Sequence, residues 1–457
     1  MKRNIAFLLA LLLLFVLPGC KSGGVESPPE PRPSAEAETG GDSEPLRVLV
    51  DVEFASVYGD PHVSTAFSSL KTNLKLCDAD IGEVEFEYLP PKGEERAAAL
   101  THMQTEIMTG KGPDLFICAC SRPWQEEKAL FQFPTQVMDR KLFLPLDDYI
   151  AKAELTDFDR LAPLLMEQGR NEEGQQIVPL AFTMPMTVFR KSEVRHEHSR
   201  TMTRADMLSG EDYFRASATV HGASVFGTTA YFKEVADYEK EELSFSEEEL
   251  RDYLMEEYET TYSEDRPEPP DNFNCDLSVG FIDSTRSETR YMDEDHHGGL
   301  RKTDEFTMVP VYSKDGGYVA YITSFAAISR NTKKPREAFA VLDYLLSENG
   351  ARSELYAYMT FLVGMPVNMD IGTEEKPIVD SGGGPWCLSD ENFREYCSLR
   401  DNASAARFST PLEDGIMGAS LDIDRSEYER SQGKSAKEPE KIISDAYRVM
   451  EMELAES

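Results

Sequence analysis

Hydrophobic and polar residues alternate with a period of two in the first third of the chain. LRVLVDVEF (46–54) and EVEFEYL (83–89) show this alternation, and DLFICA (114–119) is a short apolar run. These patterns are typical of β-strands. Between them, apolar positions recur at helical spacing in 61–77 and 94–108. The order strand, helix, strand, helix, strand predicts an α/β domain built on a parallel sheet.

A glycine-rich turn, GKGPD, joins the second predicted helix to the third strand. A phosphate loop has the opposite order, with glycines between a strand and the start of a helix. We therefore predict that Gly110 caps the helix in a left-handed conformation and that Pro113 prevents its continuation. Asp114 opens the strand and lies about 17 Å from the carboxyl edge, where open α/β sheets bind ligands. Its predicted role is structural.

Later in the chain, SFSEEELRDYLMEEY (244–258) shows helical periodicity. Ser246 and Glu249 have the spacing of a capping box, in which each side chain bonds the backbone of the other residue. A helix is therefore predicted to begin after Ser246.

The first residues have the composition of an export signal. Lys2 and Arg3 precede an apolar run, 5–17, which is short for a membrane span. The following Leu-Pro-Gly-Cys resembles the lipobox of bacterial lipoproteins, in which the cysteine thiol is acylated. We predict a lipoprotein signal peptide over 1–19 and lipid attachment at Cys20. The alternatives are an ordinary secretory signal and a single-pass anchor.

Residues 20–45 are rich in Pro, Glu, Ser and Gly and have little to bury. Such a composition cannot offset the entropy of ordering, so this segment is predicted to be a disordered tether. Folded structure is expected to begin near Leu46.

The chain of 457 residues carries a formal charge of −36. This charge disfavours nucleic acid and anionic lipid surfaces as partners and favours neutral or cationic ligands. Six cysteines follow Cys20, and their spacing matches no disulfide scaffold. Most are expected to be small buried hydrophobes, with Cys387 and Cys397 as a candidate disulfide.

Several motifs together resemble one family. They are GKGPDLFIC, FLPLDDYI (143–150), EGQQIVPLAFTMPMTVFRK (173–191), DGGYVAYITSFAAISRNTKKPREAFAVLDYLLSENG (315–350), MPVN (365–368) and KEPEKIISDAYRVMEMELAE (437–456). In this order they resemble extracellular solute-binding protein family 1, the carbohydrate-type binding lipoproteins of ABC importers. Residues 192–245 depart from the family pattern, since they lack its Pro-x-Thr-Trp segment.

The resemblance implies a periplasmic-binding-protein-like (type II) α/β fold, with two lobes joined by three hinge crossings. The N-terminal lobe would comprise 46–182 and 322–365, and the C-terminal lobe 183–321 and 366–457. Such a protein is expected to be a monomer that captures a sugar or oligosaccharide between its lobes and delivers it to permease subunits. It would sit on the outer face of the cytoplasmic membrane, or in a periplasm, and would use no cofactor.

Ligand contacts are expected on loops that follow strands and where the chain crosses between lobes. Aromatic faces would stack on sugar rings, and hydroxyl groups would bond sugar hydroxyls. For each aromatic residue the alternative is core packing. The predicted binding residues are Ser56, Tyr58, Trp124, Thr183, Tyr321, Ser324 and Trp386.

Other chemistry has weaker support in the sequence. YMDEDHHGG (291–299) could offer metal ligands, but a solvated loop is the simpler interpretation. HGASVFG (221–227) lacks the Gly-x-Ser-x-Gly spacing of a nucleophile elbow. We therefore predict no metal site and no enzyme. Alternative functions are a binding lipoprotein for a polyamine, peptide or metal complex, and a surface adhesin or scaffold.

Overall fold

A mixed sheet of seven described strands forms the centre of the computed structural model. The structure describes residues 44–51, 61–77, 81–123, 127–218, 226–262, 272–277, 305–351, 364–373, 375–376 and 387–456. The strands of this sheet are β1 Leu46–Asp51, β2 Val84–Tyr88, β3 Leu115–Ala119, β6 Ile177–Thr183, β12 Val319–Ile328, β13 Met365–Pro366 and β14 Ala405–Phe408. Their order is β13-β6-β12-β3-β1-β2, with β14 beside β12.

The three strands predicted from the first third of the chain are confirmed. β1 pairs in parallel with both β2 and β3. The alternation in β1 suggested one buried face, yet Leu49 is as fully buried as Val48 and Val50. Parallel sheets are covered on both faces, which explains this difference.

The described helices include both helices predicted between these strands. They are α1 Pro61–Cys77, α2 Gly93–Met108, α3 Pro134–Asp139, α4 Asp147–Ile150, α5 Pro163–Gln168, α6 Arg204–Ser209, α7 Asp212–Ala218, α8 Glu247–Thr261, α9 Pro335–Leu346, α10 Glu348–Ala351, α11 Asp390–Asp401, α12 Pro411–Ser431 and α13 Pro439–Glu456. The predicted capping box also forms, since Glu249 N–H bonds the Ser246 side chain and the Glu249 carboxylate accepts from Ser246 N–H.

A smaller antiparallel sheet follows directly from the large one. It consists of β7 Pro185–Arg190 between β10 Asn272–Asp276 and β11 Phe306–Pro310. Only Met184 separates β6 from β7, so the chain leaves one sheet and enters the other within one residue. Two short hairpins complete the described strands: β4 Arg170–Asn171 with β5 Gly174–Gln175, and β8 Ala236–Asp237 with β9 Glu242–Leu243. The lobe boundaries and the three hinge crossings stay predictions.

Two hydrophobic clusters account for most of the described core. The larger one surrounds the central sheet and extends into the smaller sheet. The second one lies among α8, α12 and α13 and includes Phe133 from the segment after β3. In it, the ring centroids of Phe232 and Phe245 are 4.2 Å apart and stacked. Helix packing around aromatic rings therefore holds the C-terminal part of the chain together.

The GKGPD turn has the predicted structural role. Gly110 has a φ of +72°, the left-handed conformation that favours glycine at the end of a helix. The Asp114 carboxylate accepts a hydrogen bond from Arg47 N–H at 3.0 Å and from the Thr332 hydroxyl at 2.5 Å. It thus ties β3 to the start of β1 and to the turn after β12.

The described cysteines are thiols, including Cys387 and Cys397, so the candidate disulfide between these two residues does not form in the structure. Cys118, Cys120 and Cys275 are buried, as expected for small hydrophobes. Within the described ranges, no helix has the length and apolar character needed to cross a membrane.

Candidate functional site

The carboxyl edge of the central sheet is the place where an α/β fold of this kind binds ligands. β1, β3 and β6 run in the same direction and end there at Asp51, Ala119 and Thr183. The antiparallel β12 enters the sheet at the same edge. This edge therefore contains the candidate site.

The structure brings three of the predicted binding residues together at this edge. Tyr321 of β12 lies directly opposite Thr183 of β6, and Ser324 aligns with Ala119 on one side and Ala181 on the other. All three predicted side chains are buried. Their role as ligand contacts stays a prediction, because a ligand can contact these buried side chains only if the structure around them opens.

Tyr321 is held by a polar network. Its hydroxyl lies 2.8 Å from Thr229 Oγ1 and 3.1 Å from Arg407 Nη2. Its ring stacks on Phe226 with centroids 4.4 Å apart, and the Arg407 guanidinium lies 4.7 Å from the ring centroid. Burial raises the pKa of Tyr321 to about 12, so the hydroxyl is neutral at physiological pH.

The Arg407 charge is compensated within the protein. Its Nε donates to Glu413 Oε1 at 2.9 Å, and its Nη1 donates to Lys233 O at 2.7 Å. Glu413 also accepts from the backbone N–H and the hydroxyl of Thr410, both at 2.7 Å. This pair connects β14 with the start of α12 and adds no net charge to the edge.

A second buried ion pair lies at the end of β1. Arg96 of α2 donates from Nη1 to Asp51 Oδ1 at 2.8 Å and from Nη2 to Oδ2 at 3.1 Å. The same guanidinium donates from Nη2 to Lys128 O at 2.7 Å. Such a bidentate pair fixes the orientation of both partners. Sequence reasoning missed it, although an acidic residue closing an otherwise apolar strand was a usable signal.

Three buried hydroxyl groups near this edge have no hydrogen-bond partner among the described residues. They are Thr323 Oγ1, Ser324 Oγ and Ser409 Oγ, and all three residues have a relative exposure of 0%. β12 departs from regular pairing around Ser324, with register shifts on both sides of it. Cys120 N–H donates to Thr323 O at 2.8 Å, and Ser409 N–H donates to Ile322 O at 3.1 Å. The irregular strand thus places unsatisfied hydroxyls where β3 ends.

Thr183 differs from these three residues because its hydroxyl is satisfied. Its Oγ1 donates to Leu277 O at 2.7 Å, which connects β6 to the residue just after β10. The bond lies where the chain passes from the large sheet to the small one. Thr183 therefore supports the crossing in the structure as it stands.

The remaining predicted residues lie outside the described part of the chain. These are Ser56, Tyr58, Trp124, Trp386 and the lipid attachment residue Cys20, together with the 291–299 stretch and most of 221–227. Burial raises the pKa of the Cys118 and Cys120 thiols, which are therefore poor nucleophiles. Among the described residues, no cluster of three or more His, Cys, Asp or Glu side chains has the arrangement of a metal site.

Solved structures of bacterial binding proteins share this fold across nearly the whole chain. The extracellular solute-binding protein family 1 from Alicyclobacillus acidocaldarius is 14% identical with a TM-score of 0.54, and the match covers 90% of this chain and 100% of that one. The sugar-binding protein MalE from Xanthomonas citri is 11% identical with a TM-score of 0.55, covering 90% and 98%. A periplasmic oligogalacturonide-binding protein from Yersinia enterocolitica is 14% identical with a TM-score of 0.51, covering 90% and 99%.

The resemblance seen in the sequence is confirmed at the level of the fold. The chain has the mixed α/β fold of the extracellular solute-binding proteins. No protein-family model matches the sequence, and no curated protein matches it. Because one fold serves many ligands, the ligand has to be inferred from the residues of this chain.

Proposed function

We propose that this protein is the substrate-binding component of an ABC importer and that it binds a sugar or oligosaccharide at the carboxyl edge of the central sheet. The observation that carries the proposal is the group of unpaired hydroxyls of Thr323, Ser324 and Ser409. Buried polar groups are nearly always satisfied, and exceptions call for a functional explanation. Sugar hydroxyls, which donate and accept, would satisfy them when the lobes open and close on a ligand.

The charges at this edge support an uncharged ligand. The two ion pairs of the described edge, Asp51 with Arg96 and Arg407 with Glu413, are each neutral overall. A charged ligand would need an opposite charge that is not already committed to a partner. Hydroxyl groups beside neutralised pairs suit a polyol better than a polyamine or an acidic sugar.

Delivery to permease subunits and attachment to the membrane through Cys20 complete the proposal. Both rest on the sequence resemblance, and a lipid anchor would keep the receptor near its transporter on the outside of the cell. The chain would act by binding and release and would catalyse no reaction. The main alternative is a different solute, and the charge of −36 makes a polyamine the first one to test.

The test is thermal unfolding of the full chain with separate additions of oligosaccharides, monosaccharides, polyamines, peptides and divalent metal salts. A ligand at 100 times its dissociation constant adds about 2.7 kcal/mol to the free energy of unfolding. A higher melting temperature with one class of uncharged sugar is the expected result. A higher melting temperature with polyamine or metal alone would leave the fold assignment intact and contradict the proposed sugar ligand. No rise with any compound would favour a surface adhesin or scaffold.

A further inference from the structure

A cavity lies between the segment after β3 and the C-terminal helix α13. Its volume is about 260 Å³. One wall is formed by residues 128–140 with Gln104 of α2, and the other by Glu453 and Glu456 of α13. Thr183, Tyr321 and Ser324, the predicted binding residues within the described part of the chain, do not line it. Its size is near the lower end of ligand pockets, which suits a molecule of about one ring.

The lining combines aromatic rings with side-chain amides. Phe131 and Phe133 supply apolar surface, and three glutamines, Gln104, Gln132 and Gln136, supply planar groups that both donate and accept. The Phe133 ring packs edge-on against the Tyr238 ring, with ring centroids 6.3 Å apart. Rings beside amides offer stacking and hydrogen bonding to the same molecule.

The charges of the lining are balanced. Lys128 and Arg140 face Glu453 and Glu456, two of each sign. Partial burial of Glu453 raises the pKa of its carboxyl group. The cavity therefore offers no excess of either charge to a charged ligand.

Gln136 provides the observation that points to an occupant. The residue is only 6% exposed, and its Oε1 has no hydrogen-bond partner within the described ranges. A buried amide group without a partner costs about 1–3 kcal/mol. Gln136 lines the cavity, and a rotation of its side chain would let a hydroxyl group of a bound molecule satisfy this oxygen.

We propose that this cavity is an accessory site for a small uncharged polyhydroxylated molecule, such as a single sugar ring. The inference rests on the cavity alone and does not depend on what the sheet edge binds. A cation and an anion each gain little net attraction here, because the two basic and two acidic side chains of the described lining offset each other.

The experiment measures the dissociation constant of methyl β-D-glucopyranoside for the full chain by saturation-transfer NMR, with putrescine as a second probe. Gln136→Leu removes the amide at similar volume, and because Oε1 lacks a partner, the variant should fold as well as the wild type. We expect Gln136→Leu to bind the glucoside about fivefold to tenfold more weakly. Gln432→Leu, at the exposed residue just after α12, is the matched control and should bind like the wild type.

A second variant tests the cavity by size. Gln104→Trp on the exposed face of α2 should fill the cavity from its rim and abolish glucoside binding, whereas His102→Trp on the same helix should not. Unchanged binding in both Gln136→Leu and Gln104→Trp would overturn the proposal. The proposal would also be overturned if putrescine bound and the glucoside did not. Ser324→Ala changes the sheet edge, so glucoside binding that is lost in Ser324→Ala but unchanged in Gln136→Leu would place the glucoside at the sheet edge and overturn the accessory site.

Discussion

Thr183 and Tyr321 lie directly opposite each other on the adjacent antiparallel strands β6 and β12. The sequence places them far apart, and the family resemblance marked both as residues near a crossing between lobes. In the structure both hydroxyls already have protein partners, Leu277 O for Thr183 and Thr229 with Arg407 for Tyr321. Both side chains thus fasten other segments to the sheet edge.

The first prediction concerns the Tyr321 hydroxyl. Tyr321→Phe keeps the stack on Phe226 but removes a hydrogen-bond partner from the buried Thr229 and Arg407 side chains. We expect the free energy of unfolding to fall by about 1–2 kcal/mol, measured by urea denaturation. Tyr428→Phe, at a side chain that is 65% exposed, is the control. If Tyr321→Phe and Tyr428→Phe were equally stable, the hydrogen bonds of the Tyr321 hydroxyl would not contribute to the stability of the fold.

Ser324 should behave in the opposite way. Its hydroxyl has no partner, so Ser324→Ala removes an unsatisfied polar group and should leave the free energy of unfolding unchanged or slightly higher. If the hydroxyl serves the ligand identified by the thermal test, affinity for that ligand should fall about fivefold. Titration calorimetry measures the affinity, with Ser192→Ala on the exposed surface as the control. Loss of stability without loss of affinity would show that Ser324 is structural.

The Asp51–Arg96 pair gives a third prediction. Removing one partner leaves a buried charge uncompensated, so Asp51→Leu and Arg96→Met should each destabilise the fold by about 3–5 kcal/mol. The double variant removes both charges and should be less destabilised than the sum of the two. Urea denaturation of the four proteins of this cycle measures the coupling. Additive effects would mean that the bidentate contact contributes nothing to stability.

Asp343 of α9 supports a loop far from it in sequence. Its carboxylate accepts backbone N–H bonds from Glu154, Leu155 and Thr156 at 2.9, 3.1 and 2.8 Å. Asp343→Ala leaves these donors without their acceptor and should cost about 3 kcal/mol or more of the free energy of unfolding. Asp315→Ala, at an exposed turn, should cost far less in the same urea experiment.

The regular elements of the large sheet could be predicted because their signals are local. The apolar periods of α1 and β3 and the Gly110 turn depend on neighbouring residues in the chain, and the structure confirms all three. Asp114 could also be interpreted, because the order of helix, turn and strand excluded a phosphate loop. Consistent local signals of this kind specify the elements before any tertiary contact is known.

The polar networks could not be predicted, because their partners are distant in sequence. Arg407 and Glu413 are close together, yet the groups that they satisfy include Tyr321 and the backbone of Lys233. Arg96 lies in a helix that was predicted from its apolar spacing alone, and this spacing does not indicate the Asp51 carboxylate that pairs with it. Periodicity shows which face of a helix is buried but not which charge lies across from it.

The last prediction concerns the acid sensitivity of His196. Its ring lies among those of His198, Phe214 and Tyr312, with centroids 5.3, 5.3 and 5.9 Å away, and its Nε2 lies 2.9 Å from the Tyr312 hydroxyl. Burial, assisted by His198, lowers the pKa of His196 from 6.5 to about 3. The folded protein therefore keeps this ring neutral at a pH where the unfolded chain protonates it.

The sign of the effect follows from proton binding. Above pH 6.5 neither state binds the proton, so His196 leaves stability independent of pH there. Between pH 6.5 and about 3 the unfolded state binds more protons, so stability falls as the pH falls. From about pH 7 to 5.5 this residue should account for a loss of about 1.3 kcal/mol.

His196→Gln removes the titrating group and should lose about 1.3 kcal/mol less than the wild type over that interval in urea denaturation. The variant retains His198, whose pKa burial also lowers, and the nearby Glu395 and Lys191, so their shared pH dependence cancels in the comparison. His102→Gln, at a side chain that is 75% exposed, is the matched control and should keep the wild-type difference. If His196→Gln showed the same acid sensitivity as the wild type, the ring would have to be solvated in the folded protein, and the packing of 192–199 against β11 would be looser than the structure indicates.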